Sequence, residues 1–271
     1  MTVNLTDKGI KEIVNDFNLF YIDIWGVLHN GIKLNIDAVN VLSELDNLGK
    51  EYVLLTNAPR PNADVIKFLN KLGLDNHKSS KVYTSGQGSL NYLNNEKKGL
   101  KFFHLGPDRD FGLFKNFELL KQDKPENADY ILCTGLFDEY PNLDYYKNLL
   151  FSVKDKEMIC TNPDLVVDRG IEREYCAGSV AKVFEDLGGE VIYFGKPHKE
   201  VYNMCFSSNE KVLAIGDNLR TDIKGANNLK IDCIFISEGV HRKEFNNFSE
   251  LNKLLGKYDV KANFFQKELK W

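Results

Sequence analysis

Residues 19–28 read Leu19-Phe20-Tyr21-Ile22-Asp23-Ile24-Trp25-Gly26-Val27-Leu28, and this stretch decides the fold. A short apolar run bounded by a glycine turn has the pattern of a buried parallel strand. It stops on a carboxylate. Ligands of open α/β sheets sit at the carboxyl ends of such strands, so Asp23 is badly placed for packing and well placed for chemistry.

Working outward, the runs Tyr52–Thr56, Val191–Phe194, Val212–Ile215 and Cys233–Ile236 have the same character. Between them lie amphipathic stretches at Asp37–Leu48, Asn62–Leu72, Lys199–Phe206 and Thr221–Asn228. Strand alternating with helix predicts an α/β fold with a parallel, doubly wound, Rossmann-like sheet. The middle of the chain repeats the pattern on its own. Leu100–Leu105, Tyr130–Thr134 and Met158–Thr161 read as strands, and Asn142–Ser152 and Gly178–Leu187 as helices. Lys121–Asn127 reads as a polar turn. This material predicts a core domain made of residues 1–96 and 191–271, with a second α/β domain, residues 97–190, inserted into it. The strand at Val191 is expected to open the second half of the core.

Composition excludes some functions. The chain has 271 residues, 43% of them hydrophobic and 27% charged, a normal globular mix. A net charge of −4 argues against a nucleic-acid partner, because phosphate backbones are bound by basic surfaces. No apolar run approaches the roughly 18 residues of a membrane span, so no membrane partner is expected. The five cysteines, at 133, 160, 176, 205 and 233, form no CxxC pair. They are expected as free buried thiols. With no apolar leader visible, the expected location is the cytoplasm.

Four short motifs carry the chemistry, each just after a predicted strand: Asp23-Ile24-Trp25-Gly26-Val27-Leu28, Leu54-Leu55-Thr56-Asn57, Gly195-Lys196-Pro197 and Ile215-Gly216-Asp217-Asn218-Leu219-Arg220-Thr221-Asp222. In a parallel sheet all four reach one edge. That edge then holds a nucleophile-type carboxylate, a hydroxyl beside an amide, an ammonium and a pair of acids. A carboxylate that attacks phosphorus splits one hard step into two. Two carboxylates beside a phosphate call for a divalent cation, and Mg²⁺ prefers such oxygen ligands. Thr56, Asn57 and Lys196 can neutralise the oxygens of the transferring group, where most of the catalysis in such reactions lies.

The four motifs in this order resemble those of the haloacid dehalogenase-like (HAD) superfamily of hydrolases. Only about thirty residues separate Asp23 from Thr56, while about 140 separate Thr56 from Lys196. That spacing resembles members with a type-2 cap. The segments Thr161-Asn162-Pro163-Asp164 and Gly195-Lys196-Pro197-His198 resemble subclass IIA, which includes nucleotide, sugar and pyridoxal phosphatases. The resemblance implies Asp23 as nucleophile and Mg²⁺ ligand, the backbone carbonyl of Trp25 as a second ligand, and Asp217 as a third. Asp222 would order the metal shell. Thr56 and Asn57 would hold the phosphoryl group, Lys196 would balance its charge, and Asn162 and Asp164 would face the substrate from the cap. A small phosphorylated metabolite is the implied partner, and a homodimer the implied assembly. The implied activity is Mg²⁺-dependent hydrolysis of a small phosphomonoester, such as a sugar, nucleotide or pyridoxal-type phosphate, through an aspartyl-phosphate.

One residue departs from the family pattern. Most phosphatases of the superfamily carry a second Asp two residues after the nucleophile, as general acid and base. Here that residue is Trp25, whose indole N–H only donates. General acid–base help is worth about 10² to 10⁴ in rate, so hydrolysis of the intermediate is expected to be slow. His29 and Asp164 are candidates for the missing proton transfer, and His29 also for a substrate contact or a structural role. Two other functions stay open: a phosphate- or nucleotide-binding homologue with little turnover, and a metal-independent dehalogenase-type hydrolase.

Overall fold

A computed structural model describes residues 2–169, 172–203 and 210–271. Its strands in chain order are β1 (Val3–Asn4), β2 (Leu19–Asp23), β3 (Glu51–Thr56), β4 (Val82–Thr84), β5 (Phe102–Leu105), β6 (Lys121–Gln122), β7 (Tyr130–Cys133), β8 (Glu157–Cys160), β9 (Val166–Arg169), β10 (Glu172–Tyr175), β11 (Glu190–Tyr193), β12 (Val212–Gly216), β13 (Asp232–Ile236) and β14 (Phe264–Gln266). They form a seven-stranded sheet in the order β1-β14-β13-β12-β2-β3-β4, a five-stranded sheet in the order β11-β8-β7-β5-β6, and the ribbon β9-β10. Every pairing in the two larger sheets is parallel, and the ribbon is antiparallel.

The side-chain alternation of β2 shows why it lies at the centre. Phe20 and Ile22 pack into the apolar layer on one face of the sheet, Leu19 and Tyr21 into the layer on the other. A strand buried on both faces must be apolar throughout, as this one is until Asp23. From β2 the chain winds one way through β3 to β4, and from β12 the other way through β13 to β14. The crevice between β2 and β12 is therefore the switch point where an open parallel sheet admits a ligand. Register pairs Ile215 with Ile22, so Asp23 and Asp217 leave the sheet side by side.

The five-stranded sheet is covered on its two faces by separate apolar clusters, one around Phe103, Ile131, Met158 and Phe184, the other around Phe102, Leu132 and Ile159. The strand at Val191 belongs here. β11 pairs with β8 across Val191 and Met158, which corrects the expectation that it joins the first sheet. Its outward residues are only partly buried, as suits an edge strand. The core sheet resumes at β12. Lys121–Gln122, expected as a turn, is a short edge strand beside β5, and Pro125–Asn127 forms a single 3₁₀ turn.

Helices run at Ile36–Asn47, Asn62–Lys71, Asp144–Phe151 and Ala177–Asp186, within two residues of expectation. The stretch expected at Thr221–Asn228 divides into a π-turn at Leu219–Ile223 and an α-helix at Lys224–Leu229. Glu200–Asn203 is helical, Lys199 lies in the turn before it, and residues 204–206 of the expected Lys199–Phe206 helix, Cys205 among them, lie outside the described residues. Cys133, Cys160, Cys176 and Cys233 are free and buried. Among the described residues no helix is long and apolar enough to cross a membrane.

Candidate active site

The ends of β2, β3 and β12 bring Asp23, Thr56 and Asp217 to one edge. Lys196 arrives differently from expectation. It follows β11 of the inserted sheet and stands where the chain crosses back to the core. Asn57 fixes that crossing from the core side. Its Oδ1 accepts from the Lys196 backbone N–H at 2.7 Å, and its Nδ2 donates to the Lys196 carbonyl at 3.0 Å. The ammonium then reaches three oxygens: Asp23 Oδ1 at 2.6 Å, Asp222 Oδ1 at 2.7 Å and the Leu55 carbonyl at 3.0 Å. All three donors of Lys196 are thus engaged, with its side chain only 4% exposed. Burial by itself would lower the Lys196 pKa. The charges of Asp222 and Asp23 overcome that and hold it above the usual lysine range.

Asp222 sits on the π-turn, where its Oδ2 accepts from the Asn218 backbone N–H at 3.1 Å. Asp217 is held by the loop after β13, accepting from the Val240 N–H at 2.7 Å. Two glycines make room for its carboxylate. A Cβ on Gly239 would stand 1.9 Å from Asp217 Oδ2, and one on Gly26 would stand 2.2 Å from it. Gly26 also has φ +88°, a conformation that L side chains rarely adopt.

Ligand atoms of Asp23, Asp217 and Asp222 all lie within 4.8 Å of one another, and all three residues are buried. Burial, followed by the charge of Asp222, raises the pKa of Asp23 well above the carboxylate range. The same two causes push Asp217 up to about 8. Desolvated acids in excess over one ammonium protonate unless more positive charge joins them. An all-oxygen, buried cluster between shaped glycine walls fits a hard divalent cation such as Mg²⁺.

The cap side adds Asp164, whose Oδ1 accepts from Asn218 Nδ2 at 3.1 Å. Burial pushes its pKa up to about 6, against the pull of Lys196. Asp23, Thr56, Asn57, Asp164, Lys196, Asp217 and Asp222 line one cavity of about 450 Å³. Asn162 stands behind this wall and shapes the turn, its Oδ1 accepting from the Asp164 N–H at 3.0 Å. His29 borders the cavity, but its Nδ1 accepts from the Gly31 N–H at 2.8 Å and its ring packs against Trp25 and Phe68. Burial lowers its pKa to about 4, so it is neutral and serves the loop.

Trp25 lines the cavity with its indole N–H committed to the Asp168 carbonyl of β9 at 2.8 Å. That partner, the Val240 N–H and Gly239 escape the four-motif pattern. The segment Glu238-Gly239-Val240 follows β13 at the same sheet edge, so the strand-end rule that singled out Asp23 was the available signal.

Comparison with known proteins agrees with this arrangement. Residues 20–119 match the family model described as haloacid dehalogenase-like hydrolase, and residues 193–253 match one described as HAD-hydrolase-like. The acid sugar phosphatase of Staphylococcus haemolyticus is 26% identical over 238 residues, covering 84% of this chain and 88% of that one. The ribonucleotide monophosphatase NagD of Escherichia coli is 27% identical over 227 residues, covering 80% and 86%. A crystal structure of a haloacid dehalogenase-like family hydrolase from Brucella suis superposes with a TM-score of 0.83 at 27% identity, covering 96% of this chain and 98% of that one. Fold, matched segments and relatives agree on a hydrolase with the fold of the HAD-type phosphatases: a Rossmann-like core with an inserted α/β cap.

Proposed function

We propose that the chain is a phosphatase of subclass IIA that hydrolyses a small phosphomonoester in two steps through an aspartyl-phosphate on Asp23. The observation that carries this is the buried constellation of Asp23, Asp217 and Asp222 around the Lys196 ammonium, at the mouth of a cavity sized for a metabolite. The phosphatase names of the relatives support it.

Asp23, Asp217 and the Trp25 carbonyl would hold Mg²⁺, with Asp222 ordering the site. When bound, the ion would offset the charge of the acids and the phosphate. Lys196 holds Asp23 aimed, and the ion's charge added to that of Lys196 would keep it ionised. The Asp23 oxygen that Lys196 leaves free forms the new P–O bond as the ester P–O bond breaks. Thr56 and Asn57 stand at the end of β3, where the phosphoryl oxygens would lie. Water then attacks phosphorus, the bond to Asp23 breaks, and inorganic phosphate leaves with Asp23 restored.

The proton for the leaving oxygen is the weak point. The indole N–H of Trp25 is already donated to the Asp168 carbonyl of β9. Asp164, fixed by Asn218 in the cavity wall, is the nearest replacement in kind. Good leaving groups therefore react faster than alkyl phosphates. A cation-free, dehalogenase-type reaction suits the three buried acids poorly. A binding protein with little turnover is the reading that Trp25 favours, and one assay separates it. With p-nitrophenyl phosphate and Mg²⁺ the wild type turns over, whereas Asp23→Asn and chelator-treated enzyme lose at least about 10³-fold. Ligand binding without turnover in the wild type would sink the phosphatase reading.

A further inference from the structure

The ribbon β9-β10 leaves the cap and lies along one side of the cavity, where Val166, Val167 and Asp168 form its wall. The ribbon cannot hold itself there by apolar burial. None of the eight residues in its two strands is fully buried, and an isolated two-stranded ribbon is marginal in water. Its position is set by polar links to the core, and all but one of those below run through two residues, Trp25 and Asp168. The Trp25 indole N–H donates to the Asp168 carbonyl at 2.8 Å, and the Arg169 guanidinium lies over the same indole at 5.6 Å. The Asp168 carboxylate accepts from Arg173 of β10 at 2.8 and 3.1 Å and from Arg242 of the core loop after β13. Arg173 also donates to the Val240 carbonyl at 2.6 Å, one peptide group from the N–H that holds Asp217. Asp168 stays 9% exposed in its side chain although it sits on a surface ribbon.

We propose that Trp25 and Asp168 are positioning residues that fasten the cap ribbon to the nucleophile loop and so set the substrate-facing wall of the cavity. Position 25 then trades proton transfer for a strut between the two domains. A substrate meets a wall already in place, and its non-phosphate part must fit between the indole, Val166 and Val167. The kinetic consequence rests on the phosphatase reading; the structural one does not.

Amide hydrogen exchange and steady-state kinetics on the full chain test this, with Trp25→Phe, which keeps an aromatic ring but removes the N–H together with the fused second ring, and Asp168→Asn. Both variants should speed exchange at residues 166–169 about tenfold, the loss of one hydrogen bond, with β2 and β12 unchanged. KM for p-nitrophenyl phosphate should rise by about three- to tenfold with a smaller change in kcat, because what is lost is the shape of the binding wall. Exchange at 166–169 equal to wild type in both variants would overturn the proposal, as would a fall in kcat with KM unchanged. If Asp168→Asn does not fold, Trp25→Phe decides alone. If the wild type has no turnover, the phosphatase reading fails and the exchange arm still decides the strut.

Discussion

The molecule contains two parallel sheets of like construction, and their carboxyl edges have opposite characters. The core edge carries Asp23, Asp217 and, close by, Asp222, buried acids left in excess over one ammonium. The cap edge carries Thr134 and Thr161, with His104 beside them on β5, and these polar groups satisfy one another. His104 Nε2 meets Thr134 Oγ1 at 2.9 Å, Thr161 Oγ1 donates to the Cys133 carbonyl at 3.1 Å, and Ser85 Oγ closes on the Thr161 carbonyl at 2.6 Å. Topology offers a crevice to every such sheet. Only an edge whose buried charges are left unbalanced remains open to a ligand.

Substitutions at the two edges should separate these characters. The largest effect is expected at the core edge with Gly239→Ala, whose Cβ would displace the Asp217 carboxylate. Supporting residues of metal sites typically cost about 10- to 100-fold in metal affinity, and the Mg²⁺ concentration for half-maximal turnover should rise by that factor. An unchanged Mg²⁺ requirement would show that Asp217 does not hold the ion. At the cap edge, Thr134→Val leaves His104 without its partner and should cost about 1–3 kcal/mol of stability in urea melts, with Mg²⁺ dependence untouched. A change in Mg²⁺ response there would erase the distinction between the edges.

The last effect is read in the pH profile. Burial, helped by Lys121, lowers the His104 pKa to about 3, below its unfolded value near 6.5. The unfolded chain takes up the proton first. Stability from keeping His104 neutral is present above about pH 6.5 and is lost as pH falls towards 3. His104→Gln should flatten the stability profile in that window, measured by thermal melts from pH 4 to 7. An unchanged slope would place the acid sensitivity elsewhere.

The same contrast explains what the sequence made legible. Asp23, Thr56, Asn57, Asp217 and Asp222 follow strands whose apolar runs are visible one by one, so the edge they share could be read directly. The Gly-Lys-Pro setting marks Lys196, but the strand before it pairs in the cap sheet and not, as its apolar run suggests, in the core. A four-residue apolar run carries no mark of which sheet it joins; the pairing of Val191 with Met158 is a tertiary fact. The ribbon β9-β10 was invisible because Val166-Val167-Asp168-Arg169 and Glu172-Arg173-Glu174-Tyr175 lack an apolar face, and its place depends on Trp25 and Arg242 far away in sequence. β14 and β4 are three residues each, too short to show a period.

The pairing of β2 with β12 joins residues 19–22 to residues 212–215, across the whole inserted domain. Every strand of the cap sheet, by contrast, lies between residues 102 and 193. On a ribosome the cap sheet is therefore complete before the central strand pair of the core can form. Contacts this distant in sequence close late and slowly. Asp23 is made early, waits beside an unfinished sheet, and gains Lys196, Asp217 and Asp222 only after the cap is built.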